Sequence, residues 1–379
     1  MRVALAGYAY ARSIHAPFLR AAGAQVVLAA TGDPARMAQA EADWPGVRVV
    51  PDLLAMLATA PALGVDLVVL ATPTGLHAEH VRAVLDAGLP CVVDKPLACE
   101  AASAAALVAT ARTARVPLTV YQNRRYDEGP RALGALLAGG ELGTVRRLEM
   151  RYERWRPEPR HRWREDSPWQ AGGGVLLDLG SHVVDLAVQV LGPVTSVTAQ
   201  VASVTTTADD DAVLFCRHAG GGVGGGAGGG VGDRGGDEVG GDADGSAGGA
   251  TSVLWVSSVQ PAPGPRLRAV GTRAAYVWDD FEDEGAYPDL RDAPGSSGWV
   301  VAGATRRPAP LPDRAADGAA DFYRGVAAAL KACPAGPEGY AARQAAMPVD
   351  PEEAVHTLAV IDAARISSVE RREVAVAAG

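Results

Sequence analysis

Cysteine is scarce in this chain. The four residues present, Cys91, Cys99, Cys216 and Cys333, form no CxxC pair and have no histidine at zinc-ligand spacing, so neither a metal site nor a disulfide framework is expected. A reducing, cytoplasmic setting is the simpler expectation. Long apolar runs are missing too: none approaches the roughly 18 residues of a membrane span. The first run, Val3 to Ala6, breaks at Gly7 and is followed by Arg12 and His15, unlike a secretory apolar core. Positive charge is also short. At a net charge of -9 the chain opposes binding to a nucleic-acid backbone, and no nucleic-acid or membrane partner is expected.

What is present suffices for two packed cores: 379 residues, 48% of them hydrophobic and 21% charged. Short apolar runs recur at 3 to 6, 25 to 31, 47 to 50, 66 to 72, 91 to 94 and 117 to 123. Most are rich in valine and leucine without polar alternation, as expected of strands buried on both faces. Helical spacing fills the gaps, notably at 76 to 88 and 99 to 114. The pattern predicts an α/β fold with a doubly wound parallel sheet over residues 1–123. Such a sheet opens its ligand crevice at the carboxyl ends of its strands. Candidate ligand residues therefore follow the runs: Gly7, Thr31-Gly32-Asp33, Thr72-Pro73-Thr74 and Asp94-Lys95-Pro96.

A dinucleotide-binding loop would follow the first strand. The full fingerprint G-x-G-x-x-G uses glycines for a tight turn, for backbone approach to a diphosphate and for close helix packing. Here the loop reads Gly7-Tyr8-Ala9-Tyr10-Ala11-Arg12, with only the first glycine kept. Amides at the opening of the next helix can still receive phosphate, and Arg12 could add charge. The rival reading is an ordinary strand-to-helix turn. After the second run, Thr31, Gly32 and Arg36 favour NADP, whereas Asp33 keeps NAD open or simply caps the next helix.

Residues 124–379 change character. A helix ended by glycine is predicted at 132 to 143, a strand at 145 to 155, and further strand-like runs at 196 to 205, 212 to 218, 251 to 259, 266 to 271 and 274 to 281. They predict an α+β domain with a large, mostly antiparallel sheet. A C-terminal helix is predicted at 351–373, acidic at its start and basic at its end. Residues 219–250 hold 17 of the 45 glycines in 32 positions, too few core side chains to fold, which predicts a flexible expansion of a hairpin loop.

The most chemical stretch is AGGGVLLDLGSHVVDLAVQVLG, 171 to 192. Its helical spacing from Val175 places Asp178 and His182 four apart on one face, where a histidine can exchange a proton with a substrate hydroxyl and the carboxylate can orient it. An Asp/His pair at that spacing is also compatible with a purely structural role, and Asp185 reads as packing or support. The stretch RYERWRPEPRHRWRE interleaves aromatics with arginines, yet its glutamates argue for ion pairing, subunit contact or recognition of a polar substrate rather than nucleic acid.

Together ATPTGLH (71 to 77), Asp94-Lys95-Pro96 and DLGSHVVD (178 to 185) resemble the glucose-fructose oxidoreductase/inositol dehydrogenase (Gfo/Idh/MocA) family. YQNRRYD (121 to 127) and ERWRPEPRHRWRE (153 to 165) are most similar to its scyllo-inositol dehydrogenase-like branch. The resemblance implies an N-terminal Rossmann domain, a C-terminal sheet that mediates homodimers or homotetramers, a nicotinamide cofactor and a polyol, sugar or other small carbonyl substrate. It places Lys95, Asp178 and His182 on catalytic positions. Gly7, Tyr8, Ala9, Tyr10, Ala11, Arg12, Thr72, Pro73, Thr74, His77 and Pro96 fall on the cofactor side. Tyr121, Asn123, Arg124, Arg125, Arg156, Arg162 and Trp163 match the branch near the substrate cleft.

The implied reaction is reversible hydride transfer, with His182 as general base or acid, Lys95 stabilising alkoxide charge and Asp178 aligning the substrate hydroxyl and the imidazole. A rigid, cis Lys95-Pro96 turn would aim the ammonium group into the cleft. Departures from the family are a shorter, glycine-poor loop, Asp94 in place of glutamate and Leu177 in place of tyrosine. They leave open a non-catalytic sensor on the same fold.

Overall fold

The computed structural model describes residues 1–219, 249–279, 296–312, 318–332 and 336–377. The glycine-rich hairpin expansion predicted at 219–250 lies almost wholly outside the described residues.

Six strands form the first sheet: β1 (Arg2–Ala6), β2 (Gln25–Ala30), β3 (Arg48–Val50), β4 (Leu67–Leu70), β5 (Cys91–Asp94) and β6 (Leu118–Tyr121). All pairings are parallel, in the order β3-β2-β1-β4-β5-β6. Every residue of β4, β5 and β6 is buried, which is why these runs lack polar alternation. The order reverses between β1 and β4. Loops after these two strands diverge there and leave a crevice.

Nine strands form the second sheet. In chain order they are β7 (Val145–Glu153), β8 (Val194–Ala202), β9 (Asp211–His218), β10 (Thr251–Ser257), β11 (Leu267–Gly271), β12 (Ala275–Trp278), β13 (Ser296–Ala302), β14 (Thr305–Pro310) and β15 (Val374–Ala375). The order is β14-β13-β12-β11-β7-β10-β9-β8-β15, antiparallel throughout except where β7 and β10 run parallel. Strand β7 alternates as a sheet with one covered face must: Leu148, Met150 and Tyr152 are buried between Arg147, Glu149 and Arg151. The helix Gly180–Leu191 packs on that covered face against β7 and β10.

The C-terminal helix runs Pro351–Glu370, capped at its start by the Asp350 carboxylate. It stops three residues before the predicted end, because Arg371 turns left-handed (φ 56°) and the chain leaves to pair β15 with β8. Arg371 and Arg372 therefore follow the helix instead of forming its last turn. This helix packs on β8 and on the helix Ala101–Ala114 beside the first sheet. Nearby, Thr119 Oγ1 donates to the Val349 carbonyl (2.7 Å) and the Gln344 amide exchanges two hydrogen bonds with the Leu118 backbone. The end of the chain thus fastens the two sheets together. Among the described residues no helix is long and apolar enough to cross a membrane.

Candidate active site

At the crevice, β1 runs into Gly7, which takes the left-handed conformation (φ 87°, ψ 52°) before the helix Tyr8–Ile14. A Cβ here would lie 2.3 Å from the Ala71 carbonyl oxygen, so no side chain fits. The one glycine retained is the one the turn requires. Ala9, in the position of the second glycine, is exposed on the groove wall. Ala11 is buried and serves helix packing instead of the ligand expected there.

Two further residues of this helix expected at the cofactor divide. Tyr8 borders the groove, yet its side chain is buried and its hydroxyl donates to Asp43 (2.9 Å). Arg12 holds the same carboxylate (2.6 Å) on the outer flank and does not line the groove. Both tie the helix to its neighbour Pro34–Asp43. Arg12 is thereby kept from obstructing the crevice.

The groove encloses about 500 Å³ and runs from Thr31, Gly32 and Arg36 past Gly7 and Ala9 to Tyr10. Asp33 stands outside its lining. Its carboxylate accepts the amides of Ala35 (2.9 Å) and Arg36 (3.0 Å), which makes it the helix cap that the sequence left as an alternative. The opposite wall carries Thr72, Pro73 and Thr74, with Thr72 Oγ1 3.0 Å from His80 Nδ1. His77, expected beside the cofactor, is buried below the wall. Its Nδ1 lies 2.7 Å from the Pro96 carbonyl and its Nε2 2.9 Å from the Thr72 carbonyl; the neutral ring has one N–H and donates to only one of them at a time, and burial outweighs both contacts in holding its pKa below the ordinary value. His77 therefore joins the loop after β4 to the Lys95-Pro96 turn, whose peptide is cis. Pro96 likewise lines neither cavity. A turn only glycine can make, the opening of the next helix beside it and Arg36 on the groove wall fit a nicotinamide dinucleotide.

Tyr10 and Arg164 border this groove and also a second cavity of about 330 Å³, in which Lys95, Asp178 and His182 converge. Lys95 leaves the end of β5 and donates to the Asp178 carbonyl (2.6 Å) and to its Oδ1 (2.7 Å). The two contacts account for the local fold. The Asp178 carbonyl would normally receive the His182 amide in a continuous helix. It is taken by Lys95 and the Ser181 hydroxyl, and the His182 amide bonds Leu179 instead (3.1 Å). The single helix predicted from Val175 is consequently two, Val175–Asp178 and Gly180–Leu191. Upstream, a Cβ on Gly173 would strike the Ser167 carbonyl at 1.8 Å, so the glycine run lets the chain pass beneath that loop on its way to Asp178.

Burial would raise the Asp178 pKa, but the Lys95 ammonium and the Arg164 guanidinium (3.7 Å) outweigh it and hold the carboxyl well below the usual range. His182 is driven well below the ordinary histidine value, first by burial and then by Lys95 and Arg124. It is a neutral base at neutral pH. Its Nδ1 is buried with no hydrogen-bond partner among the described residues. Burial, then Asp94 and Asp178, pushes the Tyr10 hydroxyl pKa up, so it stays protonated where the cavities meet.

The expected substrate residues divide. Arg124, Arg156 and Arg162 line the second cavity, with Lys95, Asp178 and His182. Tyr121 does not: it is fully buried, its ring 4.4 Å from that of His15 and 5.0 Å from that of Phe322, its hydroxyl on the Ile14 carbonyl. Asn123 opens a short turn and lines neither cavity. Trp163 lines the dinucleotide groove, not the substrate side. Arg125 is spent on Asp185 (2.5 and 2.8 Å) and Glu353 (2.6 Å), a partly buried network that confirms Asp185 as support. Arg164, Arg154, Asp209 and Asp210 also line the cavity and were not singled out by sequence. The only signal for the last two is the polar run Thr205-Thr206-Thr207-Ala208-Asp209-Asp210 between strand patterns.

A doubly wound parallel sheet, a crevice turned by glycine and an adjoining lysine–carboxylate–histidine cavity define a nicotinamide-dependent oxidoreductase. Residues 1–122 match the GFO/IDH/MocA model described as "Oxidoreductase family, NAD-binding Rossmann fold", and residues 131–228 match the GFO/IDH/MocA C-terminal domain. The chain belongs to the GFO/IDH/MocA family and is an NAD(P)-binding oxidoreductase.

It is 27% identical over 354 residues to scyllo-inositol 2-dehydrogenase (NADP(+)) IolW of Bacillus subtilis, covering 89% of this chain and 86% of that one. With the oxidoreductase YdgJ of Escherichia coli it shares 35% identity over 204 residues, 53% of this chain and 57% of that relative's length. Among solved structures, the oxidoreductase yvaA of Bacillus subtilis gives a TM-score of 0.76 at 24% identity, covering 99% of this chain and 98% of that one. The WlbA dehydrogenase of Bordetella pertussis, in complex with NADH and UDP-GlcNAcA, gives 0.74 at 21% identity, covering 100% and 98%. These two likenesses concern the fold.

Proposed function

We propose that the enzyme interconverts a secondary alcohol and a ketone on a polyol, inositol, sugar or related small molecule, with NADP(H) preferred over NAD(H). The observation that carries this reading is the meeting of Lys95, Asp178 and His182 in a cavity continuous, at Tyr10 and Arg164, with the Gly7 groove. The bound nicotinamide supplies the hydride acceptor or donor.

The chain's own residues handle charge and protons. Two of the three Lys95 N–H bonds are directed at Asp178, and the third remains for the substrate oxygen. The ammonium stabilises alkoxide charge as the carbinol proton passes to neutral His182. Asp178 holds the ammonium in place. The NADP preference is supported by Gly32 and Arg36 at the tip of β2, with Asp33 withdrawn into the cap. IolW, named as NADP-dependent, supports the same choice.

The test is a fluorescence titration with NADPH and NADH, followed by nicotinamide absorbance against a panel of ketoses and inososes. Binding of NADPH with turnover on this panel supports the proposal. Binding of neither dinucleotide refutes it.

A further inference from the structure

Next to Tyr10, where the two cavities meet, lies a buried set of polar side chains that the proposed reaction does not use. His15 is fully enclosed, its ring walled by those of Tyr121 (centroids 4.4 Å apart) and Tyr10 (6.4 Å). Its Nδ1 lies 2.5 Å from the Tyr323 hydroxyl, which the helix Ala320–Lys331 supplies from 308 positions further along the chain. Its Nε2 has no hydrogen-bond partner among the described residues and faces Asp94 Oδ1 at 3.6 Å, an ion-pair distance too long for a hydrogen bond. We infer that His15, locked by Tyr323, is a positioning residue that holds the Asp94 carboxylate toward a hydrogen-bond donor of the bound dinucleotide. The inference rests on the reading of the Gly7 groove as the dinucleotide site.

The neighbours decide where the ring carries its proton. Burial, then Tyr121 and Asp94, pushes the Tyr323 hydroxyl pKa well up, so it keeps a proton to donate to Nδ1. The ring N–H then sits on Nε2 and points at the carboxylate. The opposite tautomer would set the Nε2 lone pair against a negative oxygen, which both neighbours disfavour. A histidine kept for packing alone would have both nitrogens satisfied.

Asp94 completes the set. It lines the groove one residue before Lys95, with a side-chain exposure of 8%, and its carboxylate forms no hydrogen bond among the described residues. An ionised carboxylate only accepts, and a dinucleotide offers it ribose hydroxyls and a carboxamide as donors. Fixing that carboxylate before the ligand arrives spares the ligand the cost of ordering it.

Fluorescence titration with NADPH on whole-chain variants tests this, with urea denaturation as the check on folding. His15→Leu and Asp94→Asn should each weaken NADPH by about tenfold, the loss of one oriented charge-assisted contact, and Tyr323→Phe by about threefold. His15→Gln, whose amide N–H replaces that on Nε2, should stay within about threefold of wild type. In the Asp94→Asn background, His15→Leu and Tyr323→Phe should change affinity less than about twofold, because the group they act through is gone.

Losses in that background as large as in the parent chain overturn the inference, since packing defects would simply add. So does wild-type affinity in both His15→Leu and Tyr323→Phe, or a His15→Gln no better than His15→Leu. Where His15→Leu does not fold, the Tyr323→Phe and Asp94→Asn cycle decides by itself. Failure of the wild-type chain to bind either dinucleotide is a separate result, which refutes the redox reading and this inference with it.

Discussion

Replacing Lys95 by Met removes a charge that, on the proposed mechanism, serves both stability and chemistry, and the structure separates the two effects. The ammonium lies 2.7 Å from Asp178 Oδ1, with side-chain exposures of 5% and 27%. Breaking a fully buried pair from one side costs about 3–5 kcal/mol. Asp178 is partly exposed and keeps Arg164 at 3.7 Å, which lowers the expected loss for Lys95→Met to about 2–3 kcal/mol. Turnover should fall further, by about 10²–10³-fold, the usual loss on deleting one oriented charge donor from a transition state. NADPH affinity should change only a few fold, since the groove is formed by other side chains.

Adding Asp178→Asn removes the orphaned carboxylate. The double variant should regain stability to within about 1 kcal/mol of wild type while turnover stays low. Urea denaturation, initial rates and NADPH fluorescence titration on the four proteins measure the three quantities. Turnover of Lys95→Met within threefold of wild type would refute the catalytic role. An equally unstable double variant would refute the electrostatic account of the loss.

Four other outcomes follow from the geometry. Gly7→Ala places a methyl 2.3 Å from the Ala71 oxygen in a left-handed turn; titration should find NADPH binding weakened at least about tenfold, beyond the 1–2 kcal/mol of backbone strain seen in denaturation. Arg36→Ala should weaken NADPH by about tenfold and NADH little, the loss of one charge-assisted phosphate contact. Because His182 is held below its ordinary value, alcohol oxidation should stay flat from pH 8 down to about 6.5 and decline only below it, while ketone reduction rises as pH falls; an oxidation limb above that value contradicts the assignment. His77 and His182 also resist protonation in the folded state, so the unfolded chain binds more protons below about pH 6.5. Their stabilising contribution is complete above that pH and is lost on acidification, and His77→Gln should flatten the melting-temperature profile between pH 7 and 5.

Strands β1, β2, β4, β5 and β6 were legible in the sequence because a strand covered on both faces has no place for polar residues. The Asp178/His182 pair was legible through its spacing and Lys95 through its position at a strand tip. What sequence could not reveal were partners supplied from far along the chain. Tyr8 and Arg12 are claimed by Asp43, more than thirty residues later, and Tyr121 is enclosed by Phe322 and Tyr323. Trp163 faces the groove because the segment after β7 folds back over the first sheet, a direction no local pattern encodes. The break at Leu179 is a further case: its cause is a lysine 83 positions away taking the Asp178 carbonyl.

The C-terminal helix and the segment before it bear on how the protein can be made. Apolar side chains flanking β6 stay uncovered until residues 344–370 have left the ribosome, so the amino-terminal half synthesised alone should be sticky and prone to aggregate. Dissecting this enzyme for expression therefore calls for a circular permutation or co-production of the tail, with a cut after residue 123 the least promising choice.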